Sequence, residues 1–129
     1  MTIVDKFHGK KSLTRFTLLC SAGSHSVLEA FPETGRTHQI RVHAAALGFP
    51  VVCDPLYSAG QRADDRPVLL SDIKKNWRGD RLEEKPILAR LGLHAAELSL
   101  SVGGSVINLR AQLPRDMAAL VKQIEKISG

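Results

Sequence analysis

The sequence predicts an α+β fold in which a mostly antiparallel sheet carries two packed helices. Three features predict it: two pairs of apolar and β-branched segments that flank glycine-containing turns, a polar segment of helical spacing that ends at Gly48, and an apolar stripe of helical period near the C-terminus. A length of 129 residues is typical of one domain, so we expect residues 1–129 to form a single unit.

Composition and charge narrow the class of protein. Hydrophobic residues make up 43% of the chain and charged residues 24%, which indicates a globular protein. The net charge of +5 favours a polyanionic partner such as RNA, although charge alone is a weak indicator. No apolar run approaches the ~20 residues of a membrane span and no signal peptide is recognised, so we expect a cytoplasmic protein without a membrane partner. Cys20 and Cys53 are expected to be buried free thiols.

The N-terminal half predicts a hairpin followed by a helix. Residues 12–20 and 25–32 are expected to pair as antiparallel strands around the turn at 21–24. Thr37 can cap a helix over 37–47, which Gly48 ends in a left-handed conformation. Residues 49–53 then predict a short apolar strand.

Residues 58–90 have the least regular pattern and are predicted to form a long surface excursion. Its basic residues, with one tryptophan among them, could track an RNA backbone and stack a base. They are Lys74, Lys75, Trp77, Arg78 and Arg81. The alternative is a solvated loop that Trp77 anchors to the core, and it is favoured because the acidic residues at 80, 83 and 84 dilute the charge.

The C-terminal part predicts a second hairpin and a final helix. Residues 93–100 and 104–111 alternate around the glycines at 103 and 104. Pro114 suits the first turn of a helix, and the apolar residues after it recur at helical spacing and predict a core-facing stripe. The stripe consists of Met117, Leu120, Val121, Ile124 and Ile127.

Four pieces of sequence carry a family resemblance. Residues 34–43 read TGRTHQIRVH, residues 54–57 read DPLY, residues 93–95 read LHA, and residues 113–117 read LPRDM. In order and spacing these pieces resemble the RluA-type RNA pseudouridine synthases over most of residues 12–118. The resemblance implies the C-terminal half of a catalytic domain, whose sheet continues into a larger mixed sheet.

The resemblance also implies a chemistry and its principal residues. Enzymes of this family isomerise uridine to pseudouridine in ribosomal or transfer RNA, without a metal or an organic cofactor. The resemblance makes Arg41 the catalytic residue that ion-pairs with the nucleophilic aspartate, and Ile40 the residue that packs against the target base. A guanidinium suits this role because its planar fork matches a carboxylate and keeps that carboxylate ionised.

Three neighbouring residues are candidates for substrate binding. Arg36, His38 and Gln39 could reach phosphate or ribose oxygens of RNA. The alternative is that His38 and Gln39 satisfy local backbone groups and that Arg36 is a surface charge. We interpret five more residues as structural parts of the motifs: Thr37, His43, Asp54, Tyr57 and His94.

Asp54 is the nearest alternative acid in these 129 residues. Between Cys53 and Pro55 it resembles the aspartate with which the family stabilises a turn, and we expect it to accept backbone N–H bonds. The family usually has glycine at the position of Cys53.

Two family motifs are not present in these residues. The sequence contains neither the HRLD-type motif with the nucleophilic aspartate nor the KxYxA-type motif with the active-site tyrosine. We therefore expect the isolated chain to be inactive, and to need a chain or segment that supplies the N-terminal half of the domain, or to self-associate through exposed apolar surface. With no aspartate to pair, Arg41→Met is expected to change stability by less than about 1 kcal/mol.

Other functions fit the sequence less well. A non-catalytic RNA-binding or regulatory module on the same scaffold is the main alternative, and an unrelated interaction domain is a remoter one. No metal site is expected, because His38 and His43 lie about 500° apart around a helix and the cysteines lack ligand spacing. No glycine-rich phosphate loop or nucleophile elbow is recognised.

Overall fold

The chain has the predicted α+β architecture, with two antiparallel sheets and three helices in the described part. The computed structural model describes residues 2–7, 10–58, 66–80 and 82–128. In chain order the elements are β1 (Thr2–Phe7), β2 (Lys10–Ala22), β3 (His25–Pro32), α1 (Gln39–Ala46), α2 (Leu70–Ile73), β4 (Glu97–Val102), β5 (Ser105–Arg110) and α3 (Arg115–Ser128). One sheet has the order β1-β2-β3, and the other consists of β4 and β5.

The first sheet contains the hairpin that the sequence predicts. Strands β2 and β3 pair from Thr14 opposite Pro32 to Ala22 opposite His25, with a register shift between Leu18 and Cys20. Strand β1, which was not predicted from the sequence, pairs with the N-terminal half of β2. Because β1 lies on the far side of β2, β2 is the central strand of this sheet.

The motif helix is shorter than predicted. Helix α1 begins at Gln39, so the prediction that Thr37 caps a helix from 37 is wrong. His38 occupies the N-cap position in a left-handed conformation (φ 52°, ψ 26°), and no side chain caps the helix. The turn before it is closed instead by the Gln39 side chain, which accepts the backbone N–H of Arg36. Gly48 has a φ of 87°, as expected of a glycine that ends a helix.

The predicted strand over residues 49–53 does not form. The segment is a loop whose turn is closed by the backbone N–H of Asp54 bonding to the Val51 carbonyl at 3.3 Å. Cys53 lies in this turn with a φ of 60°, a conformation that disfavours side chains with a Cβ. Glycine, the residue that the family resemblance implies at this position, would adopt this conformation without strain.

Part of the predicted surface excursion lies in the core. Val68 and Leu88 form a β-bridge, and their side chains are buried, as is that of Ile73 in α2. The prediction of a surface excursion over 58–90 is wrong for these residues, because they belong to the buried apolar core that also includes residues of α3. Trp77 is half-buried, whereas Lys74, Lys75 and Arg78 are exposed. Arg81 lies outside the described residues.

Helix α3 completes the core. Its buried residues Met117, Leu120 and Ile124 confirm the predicted stripe, although Ile127 is 40% exposed. The core cluster combines this helix with the first sheet, the Cys53 turn and the α2 region. Its buried members are Ala22, Cys53, Val68, Ile73, Leu88, Met117, Leu120 and Ile124. Cys20 and Cys53 are free thiols, Cys53 buried and Cys20 half-buried.

The second hairpin is confirmed, although its first strand begins at Glu97 and not at 93. Neither face of the hairpin is covered in the described structure. All residues of β4 and β5 are exposed. The register places Leu98 opposite Leu109 and Leu100 opposite Ile107, so these side chains share one face with Val102. We call these five residues the apolar hairpin face. Within the described residues, no helix has the length and apolar character needed to cross a membrane.

Candidate active site

Arg41 and Asp54 form the central ion pair of the site. Arg41 Nε donates to Asp54 Oδ2 at 2.9 Å, and Nη2 donates to Oδ1 at 2.6 Å. The Asp54 side chain is fully buried and that of Arg41 is 12% exposed. This two-point geometry fixes the plane of the guanidinium. Arg41 therefore has a carboxylate partner within these residues, and the expectation that it has none is wrong.

Asp54 also stabilises its own turn. Its Oδ1 accepts the backbone N–H groups of Leu56 at 2.9 Å and Tyr57 at 3.2 Å. Hydrogen bonds from Arg41, and then these backbone donors, outweigh burial and lower the pKa of Asp54 from 3.8 to about 2. The same contact raises the pKa of Arg41. Both groups are consequently charged at neutral pH.

Tyr57 connects Arg41 to His38. The Arg41 Cζ lies 5.1 Å from the centre of the Tyr57 ring, within range of a cation–π contact. The Tyr57 hydroxyl lies 2.9 Å from His38 Nδ1, and the two rings meet edge to face. His38 and Tyr57 thus come together, although 19 positions separate them in the sequence.

Gln39 belongs to a network that joins α1 to β2. Its Nε2 donates to the Leu13 carbonyl and to Thr14 Oγ1, both at 2.8 Å. Its Oε1 accepts from Thr34 Oγ1 as well as from the backbone of Arg36. Gln39 is 5% exposed, so most of its polar capacity is used within the protein.

His43 extends this network from the next turn of the helix. Its Nδ1 lies 2.6 Å from Thr14 Oγ1, and its Nε2 lies 3.1 Å from Ser12 Oγ. All three residues are buried. Buried polar groups that bond to each other in this way fix the relative position of a helix and a strand. No role was predicted for Ser12 or Thr14 from the sequence, although their alternation along β2 was the available signal.

An open cleft of about 420 Å³ lies beside α1. Its lining combines three basic side chains with an apolar surface. The basic residues are Arg36, His38 and Arg41, and the principal apolar residues are Pro32, Ile40, Leu91 and Leu93. All three substrate-binding candidates at 36, 38 and 39 therefore lie at the cleft, together with Ile40. Arg36 also donates to the Lys11 carbonyl, at 3.3 Å from Nη2. Thr37 is exposed and does not line the cleft.

Leu91 and Leu93 line the cleft, although neither was predicted from the sequence to do so. Gly92 between them donates its N–H to the Val52 carbonyl at 3.0 Å, which brings this segment against the Cys53 turn. A Cβ on Gly92 would lie 2.4 Å from Val52 Cγ2, so a larger residue at this position would force the Val52 side chain to move. Leu93 of the LHA element lines the same cleft as residues of the TGRTHQIRVH element, so the two elements lie side by side.

Polar contacts hold each of the two C-terminal motifs to a nearby residue. His94 Nε2 lies 3.0 Å from the Ala111 carbonyl, at the base of the second hairpin. Arg90 donates from Nε and Nη2 to both oxygens of Asp116, each at 2.8 Å. Asp116 belongs to the LPRDM element, and no role was predicted for it from the sequence. His94 lies in this structural region and does not line the cleft.

Comparison with known proteins agrees with the resemblance of the motifs. A ribosomal large subunit pseudouridine synthase D from Zymomonas mobilis is 30% identical over 126 residues, which cover 96% of this chain. A protein of the same name from Neisseria meningitidis is 32% identical over 130 residues, or 98% of the chain. This chain belongs to the RNA pseudouridine synthase family.

A family model and a further relative also support this family assignment. The model described as RNA pseudouridylate synthase matches residues 4–46, which include most of the first sheet and α1. A protein named as an uncharacterized RNA pseudouridine synthase, from Chloroflexus aurantiacus, is 35% identical over 119 residues and 91% of this chain. The chain covers 35%, 31% and 31% of these three pseudouridine synthases, about a third of each.

Proposed function

We propose that this chain forms the arginine-bearing wall of an active site that isomerises uridine to pseudouridine in RNA. The observation that carries the proposal is the Arg41 guanidinium, held by Asp54 at a cleft with both basic and apolar lining. Its Nη1 makes no hydrogen bond to any described residue and remains able to donate to a further acceptor. The relatives' names favour this function over a non-catalytic RNA-binding module.

The cleft has the size and chemistry for one nucleotide. About 420 Å³ lies within the range of small-ligand sites, ~300–1,000 Å³. Ile40, Leu91 and Leu93 offer a dry surface to a base that has left its stack. Arg36 and His38 provide positive and hydrogen-bonding groups for phosphate or ribose oxygens. Arg41 is the catalytic residue in this proposal.

We propose that the nucleophilic carboxylate comes from outside these 129 residues. We place it against the free edge of Arg41, because a guanidinium can hold two carboxylates on different edges. In the isomerisation, the bond between ribose C1′ and N1 of uracil breaks, the base turns, and C1′ bonds to C5. The C5 proton then leaves to solvent, and N1 gains a proton.

Ribosomal RNA is the substrate class that the relatives favour. Both pseudouridine synthases named D act, by name, on the ribosomal large subunit. We propose the same class of RNA for this chain, in preference to transfer RNA. Within the cell, a cytoplasmic location fits such a substrate.

The apolar hairpin face is the proposed contact for the rest of the catalytic domain. Leu98, Leu100, Val102, Ile107 and Leu109 are each 42–58% exposed in the described structure. Exposed apolar surface of this kind promotes association. We propose that a segment supplying the N-terminal half of the domain covers it, and that copies of the isolated chain self-associate there when that segment is missing.

RNA binding by the isolated chain tests the cleft directly. Affinity for a structured ribosomal RNA fragment is measured at several salt concentrations for the native chain, Arg36→Gln and His38→Asn. Asparagine is chosen because it tolerates the left-handed backbone of His38. Weak, salt-sensitive binding is expected, and Arg36→Gln should reduce the salt slope by about one.

Arg110→Gln is the matched control. Arg110 is exposed on the second hairpin and does not line the cleft, so its removal should leave the slope close to that of the native chain. Salt-independent affinity, or an equal effect of the Arg36 and Arg110 variants, would contradict an RNA-binding cleft at α1.

A further inference from the structure

Tyr57 contacts two residues that line the cleft, but no role in the proposed reaction follows from the cleft lining alone. Its ring lies against the Arg41 guanidinium at 5.1 Å, and its hydroxyl reaches His38 Nδ1 at 2.9 Å. Arg41 and His38 both line the cleft, whereas Tyr57 does not. Tyr57 therefore lies behind two cleft residues and touches both.

Tyr57 is itself held in place. Its backbone N–H donates to Asp54 Oδ1 at 3.2 Å, and the same oxygen accepts Arg41 Nη2 at 2.6 Å. Asp54, Arg41 and Tyr57 therefore form a closed set of contacts. The position of the Tyr57 ring is fixed by the same carboxylate that fixes the guanidinium.

The His38 side chain depends on Tyr57 for its position. It is exposed, and its φ of 52° lies in the left-handed region that residues with a Cβ rarely adopt. Its side chain does not cap α1. The hydrogen bond to Tyr57 is the side-chain contact described for this imidazole, apart from the edge-to-face meeting of the same two rings.

We propose that Tyr57 is a positioning residue, which aims the His38 imidazole into the cleft through its hydroxyl and supports the Arg41 guanidinium through its ring. This role deepens the proposed function and rests on it, because the cleft is where a nucleotide would bind. Tyr57 acts through His38 and Arg41 and does not touch the substrate.

Two substitutions separate the two contacts. Tyr57→Phe keeps the ring beneath Arg41 and removes only the hydroxyl, whereas Tyr57→Leu removes both. NMR of the ¹⁵N-labelled chain reports on each contact without RNA. The signals of the His38 ring nitrogens report on the hydrogen bond to the Tyr57 hydroxyl, and the signal of the Arg41 Nε–H reports on the contact with the Tyr57 ring. Tyr57→Phe should shift the His38 Nδ1 signal and leave the Arg41 signal in place. Tyr57→Leu should change both.

RNA affinity then tests whether this positioning matters for binding. Loss of one hydrogen bond corresponds to about a three- to tenfold weaker affinity, and we expect this for Tyr57→Phe. His38→Asn should weaken binding to a similar extent. The double variant should be no weaker than His38→Asn alone, because the hydroxyl acts only through the imidazole.

Several results would overturn the proposal. An unchanged His38 Nδ1 signal in Tyr57→Phe would show that the hydroxyl does not hold the imidazole. Additive losses in the double variant would show that Tyr57 acts independently of His38. If the native chain bound no RNA, the proposed function would fail, while the NMR signals would still decide whether Tyr57 positions the two residues.

Discussion

Arg41 and Asp54 are joined at two points, with Nε 2.9 Å from Oδ2 and Nη2 2.6 Å from Oδ1. Thirteen positions separate the two residues, and the turn at Cys53 brings them together. Because the Nε and Nη2 edge of the guanidinium already bonds to Asp54, an incoming carboxylate or phosphate would bond to the edge that carries Nη1. Asp54 thus acts as the fixed support of Arg41 in the proposed site.

Arg41→Met should strongly destabilise the isolated chain. The substitution leaves the buried Asp54 carboxylate without its partner, and an uncompensated buried charge costs about 3–5 kcal/mol. Urea unfolding measures the loss. Arg110→Met is the control, because Arg110 and its partner Glu97 are both exposed and the pair should contribute little. A loss as small as that of the control would mean that Arg41 and Asp54 do not pair in solution.

A double-mutant cycle isolates the pair. Asp54→Asn keeps a side-chain oxygen for the backbone N–H groups of Leu56 and Tyr57 but removes the charge. We expect Arg41→Met to cost much less in this background, so that the double variant is more stable than the sum of the single losses predicts. Simple additivity would exclude a direct interaction.

Stability should depend on pH through Asp54. Its folded pKa of about 2 lies below the ordinary 3.8, so the ionised carboxylate stabilises the folded state above about pH 5. That contribution, about 2 kcal/mol, should be lost as pH falls from 5 towards 2. Unfolding free energies of the native chain and Asp54→Asn are compared across this range, so that the other carboxylates cancel. Parallel curves would show that Asp54 has no special role in acid unfolding.

Thr14 should be important for the junction between α1 and β2. Thr14→Val keeps the shape but removes the oxygen that contacts Gln39 Nε2 and His43 Nδ1, which leaves buried polar atoms without this partner. We expect a loss of about 1–3 kcal/mol in urea unfolding. Thr17→Val, on an exposed position of the same strand, is the control and should be close to neutral. Equal effects of the two changes would argue against the buried network.

The apolar hairpin face should drive self-association of the isolated chain. Ile107→Ser removes an apolar side chain from that face, whereas Val106→Ser removes one from the opposite face. Sedimentation at increasing concentration should show association in the native chain and in Val106→Ser, and less of it in Ile107→Ser. A native chain that stays monomeric at high concentration would mean that this face needs no cover.

Local patterns predicted those elements that depend on neighbouring residues. The two hairpins, the end of α1 at Gly48 and the stripe of α3 follow from turn residues and periodicity. The helix start was misplaced because the turn before α1 is closed by Gln39, not by a cap from Thr37. The predicted strand at 49–53 failed because a left-handed residue at 53 breaks it.

Contacts between distant segments could not be predicted in this way. The core role of Val68 and Leu88 depends on their pairing across 20 positions, and the two residues belong to short apolar segments, 68–70 and 87–88, within a stretch that is otherwise polar and irregular. The contacts of His43 with Ser12 and Thr14 span 31 and 29 positions. For the site, the motif residues were identified by resemblance, whereas the Arg41–Asp54 pair, the Tyr57 contacts and the apolar wall of Leu91 and Leu93 required the fold.

Tritium release from RNA labelled at C5 of uridine tests the central claim most directly, because the C5 hydrogen leaves only when the glycosidic bond moves to carbon. The enzyme is a chimera in which this chain replaces the matched 31% of the Neisseria meningitidis relative. We predict that the folded chimera releases tritium, that Arg41→Met abolishes release, and that the isolated chain releases none. A chimera that unfolds cooperatively but releases no tritium would contradict the proposed function, and release by the isolated chain that Asp54→Asn abolishes would contradict the supporting role of Asp54.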